Sequence, residues 1–135
     1  MFKSIQTSVS GLIASSARLN TAANNIVNAH VKSSPPAKEP DPAGPVFKAG
    51  YTPQRTEQTT VSTGGTKATT IPVSPASLSV FDPTSPLASN EGFVQLPNVS
   101  LPAEIAEITR ASHAYKANAK TLSTLDEVFK TLLKV

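Results

Sequence analysis

The sequence contains no cysteine and no tryptophan, and its 135 residues include only two tyrosines and five phenylalanines. Because cysteine is absent, the chain can form neither a disulfide nor a thiolate metal site, and it has no cysteine nucleophile. The few aromatic side chains offer no platform for stacking bases, and the net charge of +3 is not gathered into a basic stripe. Apolar residues never run long enough to span a bilayer. We therefore expect no nucleic-acid partner and no direct membrane insertion.

Signals for catalysis and for cofactors are equally scarce. The two histidines, His30 and His113, do not form a metal-binding spacing, and we interpret both as solvated. The sequence has no glycine-rich phosphate loop and no nucleophile elbow. We interpret the nearest carboxylate groups as solvated helix faces; they are Glu104 with Glu107 and Asp126 with Glu127. The chain is therefore not expected to be an enzyme, and it is expected to hold no metal and no cofactor.

Proline is absent from both ends of the chain. All twelve prolines and five of the six glycines lie between Pro35 and Pro102. Since proline and glycine interrupt regular structure, the chain reads as a helix, an irregular middle and a second helix. We expect a mainly α fold with three parts: an N-terminal rod-like helix at 1–31, an extended loop with short β-structure at 32–100, and a C-terminal helix at 101–135.

Apolar residues of the N-terminal segment recur at alternating steps of three and four. Ile5, Leu12, Leu19 and Ile26 are each seven residues apart, which is typical of a heptad seam. A helix from about residue 3 to 28 would be roughly 39 Å long at 1.5 Å per residue. The pattern predicts a long helix that packs against another helix through this seam.

The C-terminal segment repeats the arrangement. Ile108, Tyr115, Leu122 and Phe129 are also seven residues apart. Pro102 suits the first turn of a helix, where its missing N–H costs nothing, and acidic residues near the start with lysines near the end complement the helix dipole. We predict a second helix over 102–134 that pairs with the first in an antiparallel, coiled-coil-like hairpin.

The middle of the chain carries weaker signals. Two threonine-rich runs flank Gly64 and Gly65, which favours a β-hairpin. The runs "SLSVF" and "FVQL" are further short strand candidates, separated by a stretch rich in turn-forming residues. By contrast, "KSSPPAKEPDPAGP" at 32–45 has the composition of an extended linker.

The two ends together resemble a known family. The stretch from Ser10 to Ala29 reads "SGLIASSARLNTAANNIVNA" and is similar to the N-terminal signature of the bacterial flagellar rod and hook proteins. The stretch "LPNVSLPAEIAEITRASHAYKANAKTLSTLDEVFKTL" resembles the C-terminal helix of that family. Between them, "FDPTSPLASNEGFVQLPNV" looks most like the small proximal rod members. Residues 32–76 align with no pattern of the family, and the final residues lean toward its distal rod and hook members.

This resemblance implies a structural subunit of the flagellar basal-body rod. Such a subunit would polymerise through its terminal helices, with copies of itself and with other axial proteins, into a shaft that transmits torque. It would reach the periplasmic rod through the flagellar type III export apparatus, without a cleaved signal peptide. Three alternatives stay open: a distal rod or hook-like axial protein, a helical adaptor or secreted effector that binds a partner helix, and a small hydrolase.

The asparagines of the N-terminal signature have two interpretations. Their amides can satisfy backbone groups where the helix ends, or they can make directional contacts to a partner helix or a neighbouring subunit, as the family motif implies. Small residues on both helices can either admit a close backbone or form a solvated alanine-rich surface; they are Ser8, Gly11, Ser15, Ala111, Ala114 and Ala117. The residues that we expect at the assembly interface are Ile5, Leu12, Leu19, Asn24, Asn25, Ile26, Asn28, Asn98, Ile108, Tyr115, Asn118, Leu122 and Phe129.

Overall fold

The computed structural model of the chain describes residues 2–35, 50–62 and 64–134. In chain order the elements are α1 (Phe2–Asn28), β1 (Gln54–Thr60), β2 (Thr66–Pro72), β3 (Ser77–Phe81), β4 (Phe93–Pro97) and α2 (Leu101–Leu133). Both predicted helices are confirmed to within one residue at each end. Two long helices with short β-structure between them are the fold predicted from the sequence. Most of the predicted linker, residues 36–45, lies outside the described residues.

The two helices lie side by side and antiparallel. Near the end of α1, Asn25 bonds to Glu104 in the first turn of α2. Nearer the start of α1, Gly11 lies against Asn118, which is more than halfway along α2. Pro102 occupies the first turn of α2, as predicted, and no side chain caps that helix at Ser100. Coiled-coil packing of the two helices is not confirmed by these contacts.

The first β-hairpin, β1–β2, is antiparallel, with Thr60 opposite Thr66 and Thr56 opposite Thr70. Its loop contains Gly64 and Gly65 with φ angles of 96° and 97°, a left-handed conformation that glycine adopts without steric cost. The threonine-rich hairpin predicted around the glycine pair is thereby confirmed. It lies along α1, where the backbone N–H of Thr66 donates to the Ser10 hydroxyl at 3.1 Å.

The second hairpin, β3–β4, consists of the two other predicted strands, "SLSVF" and "FVQL", paired antiparallel. The chain that leaves α1 adds to its edge, because Ser33 and Gln95 exchange backbone hydrogen bonds of 3.0 and 2.9 Å. Val94 is fully buried, while the rings of Phe81 and Phe93 meet edge to face at 5.4 Å. Through the pairing of Ser33 with Gln95, this hairpin therefore connects the segment that follows α1 to the strand that leads into α2.

Candidate assembly surface

One face of α1 packs within the chain, and its residues are small or polar. Ser8, Ser15 and Ala22 are buried and lie seven residues apart. Asn25, three residues after Ala22, is also buried. Gly11 belongs to the same face, and a Cβ added there would lie 2.6 Å from the Asn118 amide. We call Ser8, Gly11, Ser15, Ala22 and Asn25 the packed face. On α2 it meets a stretch that includes Ala111, which is fully buried. Small side chains thus allow the two helices to approach closely.

A second face of α1 carries the large apolar side chains, and it stays largely open. Phe2 is 84% exposed, Ile13 66% and Val27 80%. Ile13 follows Gly11 by two residues and Val27 follows Asn25 by two, so at about 100° per residue each points away from the packed face. The predicted seam residues lie at the edge of this open region and are half-buried; they are Ile5, Leu12, Leu19 and Ile26. We call these seven residues the apolar face.

Helix α2 also exposes apolar side chains. Among the predicted interface residues, Tyr115 is 43% exposed, while Ile108, Leu122 and Phe129 are half-buried. Beyond them, Ile105 is 58% exposed, and Leu132 is 56% exposed in the last turns. A folded monomer rarely exposes so many large apolar side chains along its longest elements unless a partner covers them.

The side chain of Asn25 joins three elements at one point. Its amide nitrogen donates to the Gln54 carbonyl at 2.6 Å and to a Glu104 carboxylate oxygen at 2.9 Å. Its amide oxygen accepts from the Tyr51 hydroxyl at 2.8 Å and from the Gln54 N–H at 3.1 Å. All four hydrogen-bonding positions of the amide are filled, and Asn25 is only 1% exposed. We call Asn25, Tyr51, Gln54 and Glu104 the polar junction.

The other asparagines of the predicted interface have local partners. The Asn28 amide donates to the Asn24 carbonyl at 2.8 Å, while Asn24 itself is exposed. The Asn98 amide donates to the Pro75 carbonyl at 3.0 Å, and the Asn118 amide donates to the Ala114 carbonyl at 2.9 Å. Both interpretations of the asparagine motif therefore apply, to different residues. Asn28 satisfies the backbone where the helix ends, and Asn25 makes directional contacts to another helix of the same chain.

The sequence interpretation of Glu104 and Glu107 as solvated residues is wrong. Both carboxylates turn toward α1, where Glu104 accepts from Asn25 and Glu107 accepts from the Arg18 guanidinium. Arg110 donates to the other oxygen of Glu107 at 2.9 Å. Contacts between residues about eighty positions apart leave no spacing signal in the sequence. Arg18 escapes sequence reasoning for the same reason, and the contacts of Tyr51 and Gln54 with Asn25, which are 26 and 29 residues away, leave no spacing signal either.

The electrostatic surroundings of the two carboxylates differ. Partial burial raises the pKa of Glu104 by more than the Asn25 hydrogen bond lowers it, and the negative charge of the neighbouring Glu107 raises it further. The hydrogen bond from Arg18 lowers the pKa of Glu107, and it raises the pKa of Arg18 in turn. Burial also raises the pKa of the Tyr51 hydroxyl, helped by the charge of Glu104. The folded structure therefore disfavours the ionised form of Glu104 and favours the ionised form of Glu107.

A polar cleft opens beside the polar junction, between α1, β1 and the start of α2, with a volume of about 390 Å³. It is lined by Arg18, Thr21, Gln54, Thr56, Glu104 and Glu107, with Ala22, Arg55, Gln58 and Ala103. Arg18 is already paired with Glu107, and Arg55 with Glu57. In residues 2–35, 50–62 and 64–134, no group of histidine and carboxylate side chains is arranged to hold a metal ion. His30 and His113 are exposed, as predicted.

Neither α1 nor α2 could cross a membrane. Over the part of the chain that the structure describes, no helix combines the length and the apolarity that a span requires.

Two family models match the ends of the chain. The model described as "Flagella basal body rod protein" matches residues 5–31, and the one described as "Flagellar basal body rod FlgEFG protein C-terminal" matches residues 90–135. The first range falls almost entirely within α1, and the second contains β4 and all of α2.

Curated relatives match along nearly the whole chain. "Flagellar basal-body rod protein FlgC" of Salmonella typhimurium is 34% identical over 125 residues, which cover 91% of this chain and 89% of the relative. The protein of the same name from Aquifex aeolicus is 28% identical, covering 96% and 92% of the two chains. That from Borreliella burgdorferi is 26% identical, covering 100% and 97%.

Proposed function

The chain belongs to the family of flagellar basal-body rod proteins, close to FlgC, and on that premise we propose that this structural subunit of the rod assembles through the apolar face of α1. The relatives support assembly with other rod and axial proteins. The predicted seam residues of both helices would then contact helices of neighbouring subunits. In this proposal the helices at 1–31 and 101–135 form the assembling part, and residues 32–100 connect them.

The observation that carries the proposal is the exposure of Phe2, Ile13 and Val27 on one side of α1. Fully burying a side chain of this size is worth about 1.5–3 kcal/mol relative to leaving it exposed. In a single chain that free energy is not gained, because α2 packs against the opposite side of α1 and leaves these three side chains exposed. Packing of another subunit's helix on the apolar face would gain it, and would extend the heptad seam into coiled-coil-like contacts.

Several finer features of the proposal come from the family resemblance. We propose that the subunit passes through the flagellar type III export apparatus and keeps its N-terminus, that it resides in the periplasmic part of the rod, and that it transmits torque without catalysing a reaction. The polar cleft fits this view, because both arginines that line it are already paired within the chain, Arg18 with Glu107 and Arg55 with Glu57.

A pair of substitutions at Ile13 tests the assembly surface. Since Ile13 is 66% exposed, Ile13→Asp should leave the folded monomer intact, but a carboxylate in a packed helix interface would lose its hydration without a partner, at a cost of several kcal/mol. We expect the Ile13→Asp protein to be absent from isolated basal bodies, as measured by immunoblot, and the cells to be non-motile. The matched variant Ile13→Leu should assemble normally. Normal rods built from the Ile13→Asp protein would refute the proposed surface.

A further inference from the structure

The β1–β2 hairpin is fastened to α1 at three places, all by hydrogen bonds. Ser10 accepts from the backbone of Thr66 at 3.1 Å. The hydroxyls of Thr21 and Thr56 are 2.9 Å apart, and Asn25 bonds both backbone groups of Gln54. Ser10, Thr21 and Asn25 are separated by eleven and four residues, which is close to three turns and one turn of helix, so they form a row along α1.

The hairpin does not lie where apolar burial alone would place it. Its strands read "QRTEQTT" and "TKATTIP", and most of their residues are exposed. The row that holds it is polar, while the apolar face of the same helix stays open. Hydrogen bonds are directional and the hydrophobic effect is not. The position of the hairpin is therefore specified by three directional contacts rather than by buried apolar area.

The contact at Asn25 also involves α2. Asn25 bonds Glu104 with the same amide nitrogen that bonds the Gln54 carbonyl. The place of the hairpin on α1 is thus coupled to the pairing of the two helices. Moving the hairpin off Asn25 would leave a buried amide with unfilled hydrogen-bonding positions, which is costly in a site only 1% exposed.

We propose that Ser10, Thr21 and Asn25 are positioning residues that hold the β1–β2 hairpin against one flank of α1 in the assembled rod as well as in the single chain. By holding it there they keep the hairpin off the apolar face, which remains open to the helix of another subunit. This inference rests on the proposed function and adds to it the orientation of the middle segment in the rod.

Because the sequence contains no cysteine, a disulfide can report the position of the hairpin. The double variant Thr21→Cys/Thr56→Cys places two sulfurs where the hydroxyls are 2.9 Å apart, against a disulfide bond length of about 2.0 Å. The matched control is Thr21→Cys/Thr69→Cys, since Thr69 is exposed and alternation places its side chain on the opposite face of the hairpin from Thr70, the partner of Thr56. Both variants are oxidised mildly, as purified chain and within isolated basal bodies, and intrachain disulfides are measured by peptide mass spectrometry.

We expect a disulfide in the first variant both in the free chain and in basal bodies, and none in the control. If the variant protein is present in basal bodies but its disulfide forms only in the free chain, the hairpin leaves α1 on assembly and this inference is wrong, although the proposed function stands. If the native protein is absent from basal bodies, the proposed function itself fails.

A second measurement exchanges the amide of Asn25 and the carboxylate of Glu104, and follows the rate at which the disulfide between positions 21 and 56 forms. Asn25→Asp removes the donor to Gln54 and faces Glu104 with a second carboxylate, so disulfide formation between positions 21 and 56 should slow by about tenfold. In Asn25→Asp/Glu104→Gln the net charge of the chain is restored, and the new amide on α2 can donate to the new carboxylate on α1. We expect this double variant to recover only part of the rate, because the repulsion with position 104 is removed but position 25 still has no donor for the Gln54 carbonyl. Equal rates in all three proteins would overturn a positioning role for Asn25.

Discussion

The two faces of α1 reverse the usual distribution of residues in a small domain, because the small and polar side chains are buried and the large apolar ones are exposed. The packed face is made of serine, glycine, alanine and asparagine, and the chain buries it against α2. The apolar face carries phenylalanine, isoleucine, leucine and valine, and the chain leaves most of it exposed or half-buried. Core positions normally hold the large apolar residues. In a subunit that assembles through this face, as we propose, a neighbouring subunit would cover these apolar side chains.

The contrast also separates two kinds of stabilisation. The packed face relies on close approach and on hydrogen bonds, which specify one arrangement but contribute little net free energy each. Burying the apolar face would contribute the larger hydrophobic free energy, and most of that free energy is not gained in a single chain, where the largest side chains of the face stay exposed. We expect such a chain to gain stability on assembly, because long helices depend on packing for most of their stability.

The largest effect on the packed face is expected from Asn25→Ala. It removes four hydrogen bonds and leaves partially buried groups of Tyr51 and Gln54 without their partner, so unfolding free energy should fall by about 3 kcal/mol. Urea denaturation followed by circular dichroism measures it. The neighbouring exposed residue provides a control, because Asn24→Ala should change the free energy by less than about 0.5 kcal/mol. Similar losses in both variants would mean that the polar junction has no special weight.

A smaller effect, with a sign that depends on its partner, is expected at Gly11. The added methyl of Gly11→Ala would displace the Asn118 side chain and its hydrogen bond to Ala114, so we expect a loss of about 1 kcal/mol despite the better helix propensity of alanine. In an Asn118→Ala background the obstruction is gone, and the same substitution should stabilise the chain by up to about 1 kcal/mol. Thermal melts of the four proteins give the double-mutant cycle. The same change of stability in both backgrounds would show that the helices do not approach closely at Gly11.

The smallest effect concerns pH and the two carboxylates that face α1. Burial raises the folded pKa of Glu104, so the stability that its protonated form contributes is present at low pH and is lost as pH rises through that pKa. Arg18 lowers the folded pKa of Glu107, so the stability from its ionised form is present above the ordinary pKa and is lost as pH falls through the folded value.

Glu104→Gln separates these opposing contributions. The variant should be slightly more stable than the native chain at neutral pH, and the difference should vanish as pH falls below the ordinary glutamate pKa of about 4.3. Glu107→Gln should instead lose stability at neutral pH and match the native chain in acid. Unfolding free energies measured between about pH 3 and 7 test both expectations. A difference between Glu104→Gln and the native chain that grows on acidification would contradict the assignment.

Much of this architecture can be predicted from the sequence, because its signals are local. The proline distribution and the heptads give both helices, and Gly64 with Gly65 gives the first hairpin. The motifs at the two ends indicate the family. These features depend on residues within a few turns of one another, for which helix period and turn chemistry are sufficient.

The choice between the two faces of α1 is not local. A heptad seam such as Ile5, Leu12, Leu19 and Ile26 shows that a helix has a face to bury, but not whether the partner belongs to the same chain. The role of Asn25 depends on Tyr51, Gln54 and Glu104, which are distant in sequence. The burial of Glu104 follows from that contact. Contacts of this kind arise from tertiary structure, so they cannot be predicted from the local sequence around each residue.

The most direct test of the account is to label both faces of α1 before and after assembly. Ile13→Cys and Ser15→Cys, made separately in this cysteine-free chain, place a thiol on the apolar face, where Ile13 is 66% exposed, and on the packed face, where Ser15 is 2% exposed. Maleimide labelling is compared between purified chain and isolated basal bodies. We predict that the thiol at position 13 reacts in the free chain and is protected in the rod, whereas the thiol at position 15 is protected in both. A thiol at position 13 that stays fully reactive in the rod would contradict the central claim.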